Sequence, residues 1–226
     1  MNYDLSVLSS CTLFQGIGQD NVQAMLGCLD AKRKHFAKDA FLLRAGSPMS
    51  SLGLVLSGSV FVVQEDFWGN RNILAVVKAG ECFAETVACV PHAILQADVV
   101  AQTPVSVLFL DVRRILTVCS SACVYHAQLI RNLLADVAEK NLHLNEKLTQ
   151  LGQRTTRAKL LAFLSAQARK IGDREFDLAF SRQQLADWLS VERSGLSTEL
   201  GKLRAEGLLE FHKNHFRLKT EGEDVQ

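Results

Sequence analysis

The chain has 226 residues, 48% of them hydrophobic and 22% charged, with a formal net charge of +1. That composition suits one or two folded domains and excludes a disordered chain, because there is enough apolar surface to offset chain entropy. No run approaches the roughly 18 apolar residues of a membrane-crossing helix, and the start MNYDLSVLSSCTLF lacks the layout of a secretory signal. The six cysteines, at 11, 28, 82, 89, 119 and 123, form no paired framework, so a reduced, cytoplasmic protein is expected.

Leu5, Leu8, Leu13, Val22, Met25, Leu26 and Leu29 predict helix over the first thirty residues, broken near Gly16-Ile17-Gly18. From Phe36 the pattern changes to short apolar runs: Ala40–Leu43, Leu52–Leu56, Val60–Val63, Ile73–Val77, Val99–Ala101 and Val105–Leu110. Gly46-Ser47-Pro48, Ser57-Gly58-Ser59, Trp68-Gly69-Asn70 and Lys78-Ala79-Gly80 separate them. Strands of that length and spacing predict an antiparallel sandwich or barrel over about residues 35–112.

Between Val112 and Leu151 there is neither proline nor glycine. Cys123, Ala127, Ile130, Leu134, Val137, Asn141, Leu144, Leu148 and Leu151 recur at alternating spacings of 4 and 3, the a/d register of a coiled coil. At 1.5 Å per residue the helix is about 45 Å long. A second copy of the chain is the simplest cover for the seam, with Ile130, Leu134, Val137, Asn141, Leu144 and Leu148 as interface residues. The alternative is a helix packed inside its own monomer. Asn141 is the polar position, of the kind that fixes register and oligomer number.

Gly152 is a candidate C-cap or hinge. A helix is predicted from Thr156 to Lys170 and a short strand over Phe176–Phe180. Ser181 and Gln184 then have the spacing of a capping box, opening a short helix that buries Leu185, Trp188 and Leu189. After a turn at Leu189–Val191 a second helix buries Leu196, Leu200 and Leu203. This leaves Glu192, Arg193, Ser194, Ser197 and Thr198 facing outward, as in a helix-turn-helix that enters the major groove. Residues 210–218, Glu-Phe-His-Lys-Asn-His-Phe-Arg-Leu, predict a hairpin wing with Lys213 and His215 at its tip. Arg193 is the candidate base reader, since guanidinium pairs bidentately with guanine. Ser194, Ser197 and Thr198 are shorter contacts, and Arg182 and Gln183 are expected against phosphates. The alternative is a helical hairpin with a solvated charged face.

Charge follows the same division. Residues 1–120 carry nine basic and ten acidic side chains, 121–152 three of each, and 153–219 thirteen and eight, ahead of Glu221, Glu223 and Asp224. A neutral front and a basic back suit a polyanion at the C-terminal part.

Phe180-Ser-Arg-Gln-Gln-Leu-Ala-Asp-Trp-Leu189 with Arg193-Ser194, Leu56-Ser-Gly-Ser-Val60, Gly80-Glu-Cys-Phe-Ala-Glu85 and Arg154-Thr-Thr-Arg157 together give the chain its family resemblance. It resembles, over essentially its whole length, the Crp/Fnr superfamily of bacterial transcription regulators. The resemblance implies an α+β fold in three parts. An antiparallel, jelly-roll-like β-roll sensor with N-terminal helices spans residues 1–118. A dimerisation helix spans 119–152, and a winged helix-turn-helix that binds double-stranded DNA spans 153–226. It also implies a homodimer on a near-palindromic operator, with half-sites about one helical turn apart, and RNA polymerase as a further partner. No membrane partner is expected.

In cyclic-nucleotide-binding relatives a cassette Glu holds the ribose, and an Arg-Ser pair ten residues on holds the phosphate. Glu85 matches the Glu, followed by Thr86, but Leu95 and Gln96 stand at the pair. A leucine cannot neutralise a phosphate, so an effector other than cyclic AMP is expected at Glu85, Thr86, Leu95, Gln96 and Asn141. Haem and metal rank behind a small molecule. Cys119, Cys123 and His126 share a helix face at i, i+4, i+7, and Cys82 and Cys89 lie near Pro91-His92. Simple packing is the plainer role for these cysteines. Cys11 stands apart from Cys28, unlike the tight cysteine cluster of iron–sulfur members. The alternative function is a haem- or thiol-based sensor that signals through protein contacts with little DNA binding. No phosphate loop, nucleophile motif or HExxH occurs, so no enzyme is expected.

Overall fold

The computed structural model describes residues 5–69, 71–117 and 124–219. It divides into two compact units, Met1–Leu142 and His143–Gln226. Among the described residues no helix is long and apolar enough to cross a membrane.

In the first unit, α1 (Leu5–Ser10) and α2 (Gln19–Cys28) flank a 3-10 turn at Thr12–Phe14. The chain breaks between them where Gly16 takes a φ of +78°, which glycine adopts without steric cost. The strands are β1 (Lys32–Phe36), β2 (Phe41–Leu43), β3 (Ser51–Ser57), β4 (Ser59–Glu65), β5 (Arg71–Lys78), β6 (Cys82–Phe83), β7 (Asp98–Ala101) and β8 (Val105–Asp111). They form two antiparallel sheets, in the orders β1-β8-β3-β6 and β2-β7-β4-β5. One core cluster takes Val55, Phe83, Val107 and Phe109 from the first sheet and Val60, Val77, Val99 and Ala101 from the second.

β3 is buried on both faces, which explains its unbroken apolar run. Leu52, Leu54 and Leu56 meet the helices, in a cluster with Phe14, Met25, Leu108, Leu110, Leu129 and Leu133. Gly53 sits opposite Phe83 in the ladder, where a Cβ would lie 2.2 Å from the Phe83 ring. Only glycine allows that ring to lie on the strand.

Three features of this unit differ from the sequence reading. β1, Lys-Arg-Lys-His-Phe, is a strand although nearly every residue in it is exposed. Among the described residues it is an edge strand paired only with β8, and an edge needs no apolar alternation. After β6 comes a short helix, α3 (Glu85–Cys89), whose five residues carry too little periodicity to be seen. The helical stretch is also not continuous from Val112. Here α4 (Val112–Leu116) ends at Thr117, whose backbone is extended, and the long helix α5 is Val124–Leu151.

The second unit holds the last turns of α5, α6 (Thr156–Ile171), β9 (Glu175–Asp177), α7 (Arg182–Leu189), α8 (Arg193–Ala205), β10 (Leu209–His212) and β11 (His215–Leu218). Its sheet runs β10-β11-β9. The core gathers Leu160, Phe163, Leu164, Phe176, Leu185, Leu196, Leu200, Leu203 and Phe216. β9 is shorter than predicted, because Phe180 turns inward to pack on Phe163 and on Trp188, 5.3 Å away. Trp188 is half-buried rather than buried, and Ala186 takes its place in the α7 core. Gly152 lies just past α5, its N–H donating to the Leu148 carbonyl at 2.8 Å. Lys147 of α5 lies over the Trp188 ring at 3.7 Å, a cation–π contact, and burial pulls its pKa down to about 8.

Candidate nucleic-acid interface and sensor cassette

α7 opens with a complete capping box. The Ser181 hydroxyl accepts from the Gln184 N–H, and Gln184 accepts from the Ser181 N–H at 2.8 Å. α7 stops at Ser190, whose left-handed φ of +50° turns the chain into α8. Leu196, Leu200 and Leu203 fasten one face of α8 into the core, which leaves Glu192, Arg193, Ser194, Ser197 and Thr198 exposed on the other. The Ser197 and Thr198 hydroxyls donate back to the carbonyls of Arg193 and Ser194, at 2.9 and 3.0 Å. This fixes their rotamers and leaves oxygen lone pairs outward. A groove of about 460 Å³ runs beside this face, lined by Thr155, Thr156, Arg157, Gly195, Thr198 and Glu199. Arg157 grips Glu206 through two N–H groups, tying α6 to the end of α8.

The hairpin β10–β11 turns at Lys213, which is exposed and has a φ of +52°. Arg182 is committed to this wing: its guanidinium donates to the Lys213 carbonyl at 3.0 Å and lies over Phe211 and Phe216. Gln183 is exposed, and its amide donates to Asp187 at 2.8 Å. His215 does not stand free at the tip. Its two ring nitrogens meet Asp177 at 3.2 Å and Glu175 at 3.0 Å, and these hydrogen bonds raise its pKa.

In the first unit, the cassette residues separate. Glu85 and Leu95 are buried, each 5% exposed, whereas Thr86, Gln96 and Asn141 are exposed. Glu85 pairs with Lys140 of α5 at 3.0 Å. Lys140 also reaches Asp136 at 2.7 Å and the Cys82 carbonyl at 2.8 Å. Burial works against the ammonium, but Glu85 and Asp136 outweigh it and the Lys140 pKa is raised. Sequence reasoning missed Lys140, because a lysine four residues after an aspartate on a helix reads as an ordinary solvated pair.

Along α5, Leu134, Leu144 and Leu148 are 69%, 53% and 67% exposed, and Asn141 is exposed too. Ile130 and Val137 are partly buried against the sensor core. The neighbouring face, with His126, Leu129, Leu133 and Asp136, is buried within the chain.

Burial pushes the thiol of Cys82 well up, that of Cys89 up, and that of Cys11 to about 11. Burial therefore keeps all three protonated at neutral pH. Among the described residues no group of three His, Cys, Asp or Glu is placed to hold a metal. Cys119 and Cys123 lie outside the described residues.

The cyclic nucleotide-binding domain family matches residues 33–122, and the Crp-like helix-turn-helix domain family matches residues 158–221. Among curated protein sequences, none matches. Several solved structures do. The c-di-GMP responsive global regulator CLP of Xanthomonas campestris superposes with a TM-score of 0.73 at 19% identity, covering 88% of this chain and 98% of that one. FixK2 from Bradyrhizobium japonicum gives 0.65 at 21%, covering 84% and 93%. A CooA mutant from Carboxydothermus hydrogenoformans gives 0.69 at 18%, covering 97% and 93%. With both domain families matched in this order, over about two thirds of the residues, and the whole fold shared with such regulators, the chain belongs to the Crp/Fnr family of transcription regulators.

Proposed function

We propose that the protein is a homodimer that binds a near-palindromic operator through α8 and is controlled by an effector other than cyclic AMP. The observation that carries this is the N-terminal face of α8. Arg193, Ser194, Ser197 and Thr198 are all exposed on a helix whose opposite face is locked into the core. Arg193 reads a guanine, the three hydroxyl residues contact bases or phosphates, and Gln183 and Lys213 contact the backbone. Arg182 contacts the backbone too, while one of its N–H groups and its stacking face help to hold the wing. The exposed leucines of α5 supply the dimer seam. Residues 1–118, 119–152 and 153–226 then serve as sensor, dimer helix and DNA reader.

The effector reading is supported by Leu95, which is buried and brings no cation to neutralise a phosphate. The test is Arg193→Ala on operator duplexes. Discrimination at one guanine falls by roughly 1–3 kcal/mol while non-specific binding is nearly unchanged. Equal weakening on every sequence would make Arg193 a phosphate contact and remove the base-reading role.

A further inference from the structure

In the first unit a lysine of α5 reaches across to the segment that follows β5. The Lys140 ammonium donates to Asp136 at 2.7 Å and to the Cys82 carbonyl at 2.8 Å, and it forms an ion pair with Glu85 at 3.0 Å. Two of those acceptors lie on β6 and α3, more than fifty residues from Lys140 in the chain. Glu85 and Asp136 are 5% and 7% exposed, so water screens the carboxylates little, although the Lys140 side chain is 30% exposed. The carboxylates are not fully served: two negative groups share one positive group, and Glu85 Oε2 has no hydrogen-bond partner among the described residues. Such a cluster is poor at adding net stability, but breaking it leaves buried charge uncompensated. Its effect is therefore to hold two elements in one arrangement. Ala84, just before Glu85, has a φ of +62°, a strained conformation that persists only where its surroundings enforce it.

We propose that Lys140 is a built-in latch: its ammonium fastens α5 to Glu85 and the Cys82 carbonyl, so the sensor unit holds its DNA-binding arrangement until the effector breaks that pairing. This rests on the reading above that the sensor unit governs operator binding. With Lys140 held against Oε1, a cyclic nucleotide's ribose would have to compete with the ammonium for Glu85, which makes the protein indifferent to cyclic nucleotide.

The test uses the full-length protein and a duplex that the wild-type chain enriches from a randomised library. Lys140→Met, which keeps the stem and removes the charge, lowers affinity for that duplex by roughly 5- to 150-fold, the usual range of coupling between sites. Glu85→Gln lowers it in the same direction, and the double variant loses no more than the worse single one. If Lys140→Met does not fold, a triple variant with Lys140→Met, Glu85→Gln and Asp136→Asn carries the test, since it buries no unpaired charge. It melts near the wild-type temperature yet keeps the affinity loss, which a merely structural role would not produce. Wild-type affinity in that folded triple variant overturns the latch, as does a saturable rise in melting temperature of the wild type with cyclic AMP. If the wild type enriches no duplex, the DNA-binding reading fails. The latch is then decided by hydrogen exchange at Glu85–Cys89: loss of protection in the Lys140 variant supports it, and unchanged protection overturns it.

Discussion

Arg193 and Arg182 are two arginines eleven residues apart with opposite fates, decided by what lies within reach of each. Arg182 starts α7 beside the wing, and its planar guanidinium covers Phe211 and Phe216 while it donates to the Lys213 carbonyl. Arg193 starts α8 with its side chain exposed. His215 is the third residue whose environment sets its behaviour. Hydrogen bonds to Asp177 and Glu175 raise its pKa above the usual value of about 6.5. A raised histidine contributes stability that is complete below the unfolded-state pKa and is lost as pH rises through the folded-state pKa. Melting-temperature differences between the wild type and His215→Gln are therefore largest below about pH 6.5 and shrink at higher pH. A difference independent of pH would show that the two carboxylates do not act on the imidazolium.

At this scale the capping box of Ser181 and Gln184 and the burial of Leu196, Leu200 and Leu203 were legible, because each depends on spacing of three or four residues. Lys140 was not. Its partners Glu85 and Cys82 meet it only through tertiary folding, and its local neighbour Asp136 suggested nothing more than a surface pair.

Elements were legible where one face is apolar and opaque where it is not. β3, β4, β5, β7 and β8 stand close to their apolar runs, whereas β1 is a charged edge and β6 has only two residues. α5 carries two stripes offset by one position. The seam of Leu134, Leu144 and Leu148 showed in the sequence as leucines. The inward stripe of His126, Leu129, Leu133, Asp136 and Lys140 was hidden by its polar members. Replacing Leu144 and Leu148 with glutamate charges the exposed seam without touching the chain's own core. Light scattering then reports a monomer that still melts cooperatively, and a dimer unchanged in mass would move the interface elsewhere. Within the β-roll, Gly53→Ala forces a methyl group into the Phe83 ring. Overpacking of this kind costs about 1–3 kcal/mol, to be seen as a lower melting temperature; a neutral outcome would mean that the Phe83 ring moves aside.

At the scale of the whole chain, the charge division of the sequence coincides with a division of labour. The stretch carrying thirteen basic residues includes α7, α8 and the wing, and the near-neutral stretch forms the β-roll with its cassette. The basic excess is modest, so the proposed operator recognition rests on placed side chains rather than on bulk attraction, and affinity is expected to decline with salt through phosphate contacts. Under the proposed function, two chains read one two-fold operator. The most direct test is native mass spectrometry of the complex between the full-length protein and the duplex it enriches from a randomised library. Two chains per duplex are expected, on a near-palindrome whose half-sites lie about one helical turn apart. One chain per duplex, or enrichment of a sequence without two-fold symmetry, would contradict it.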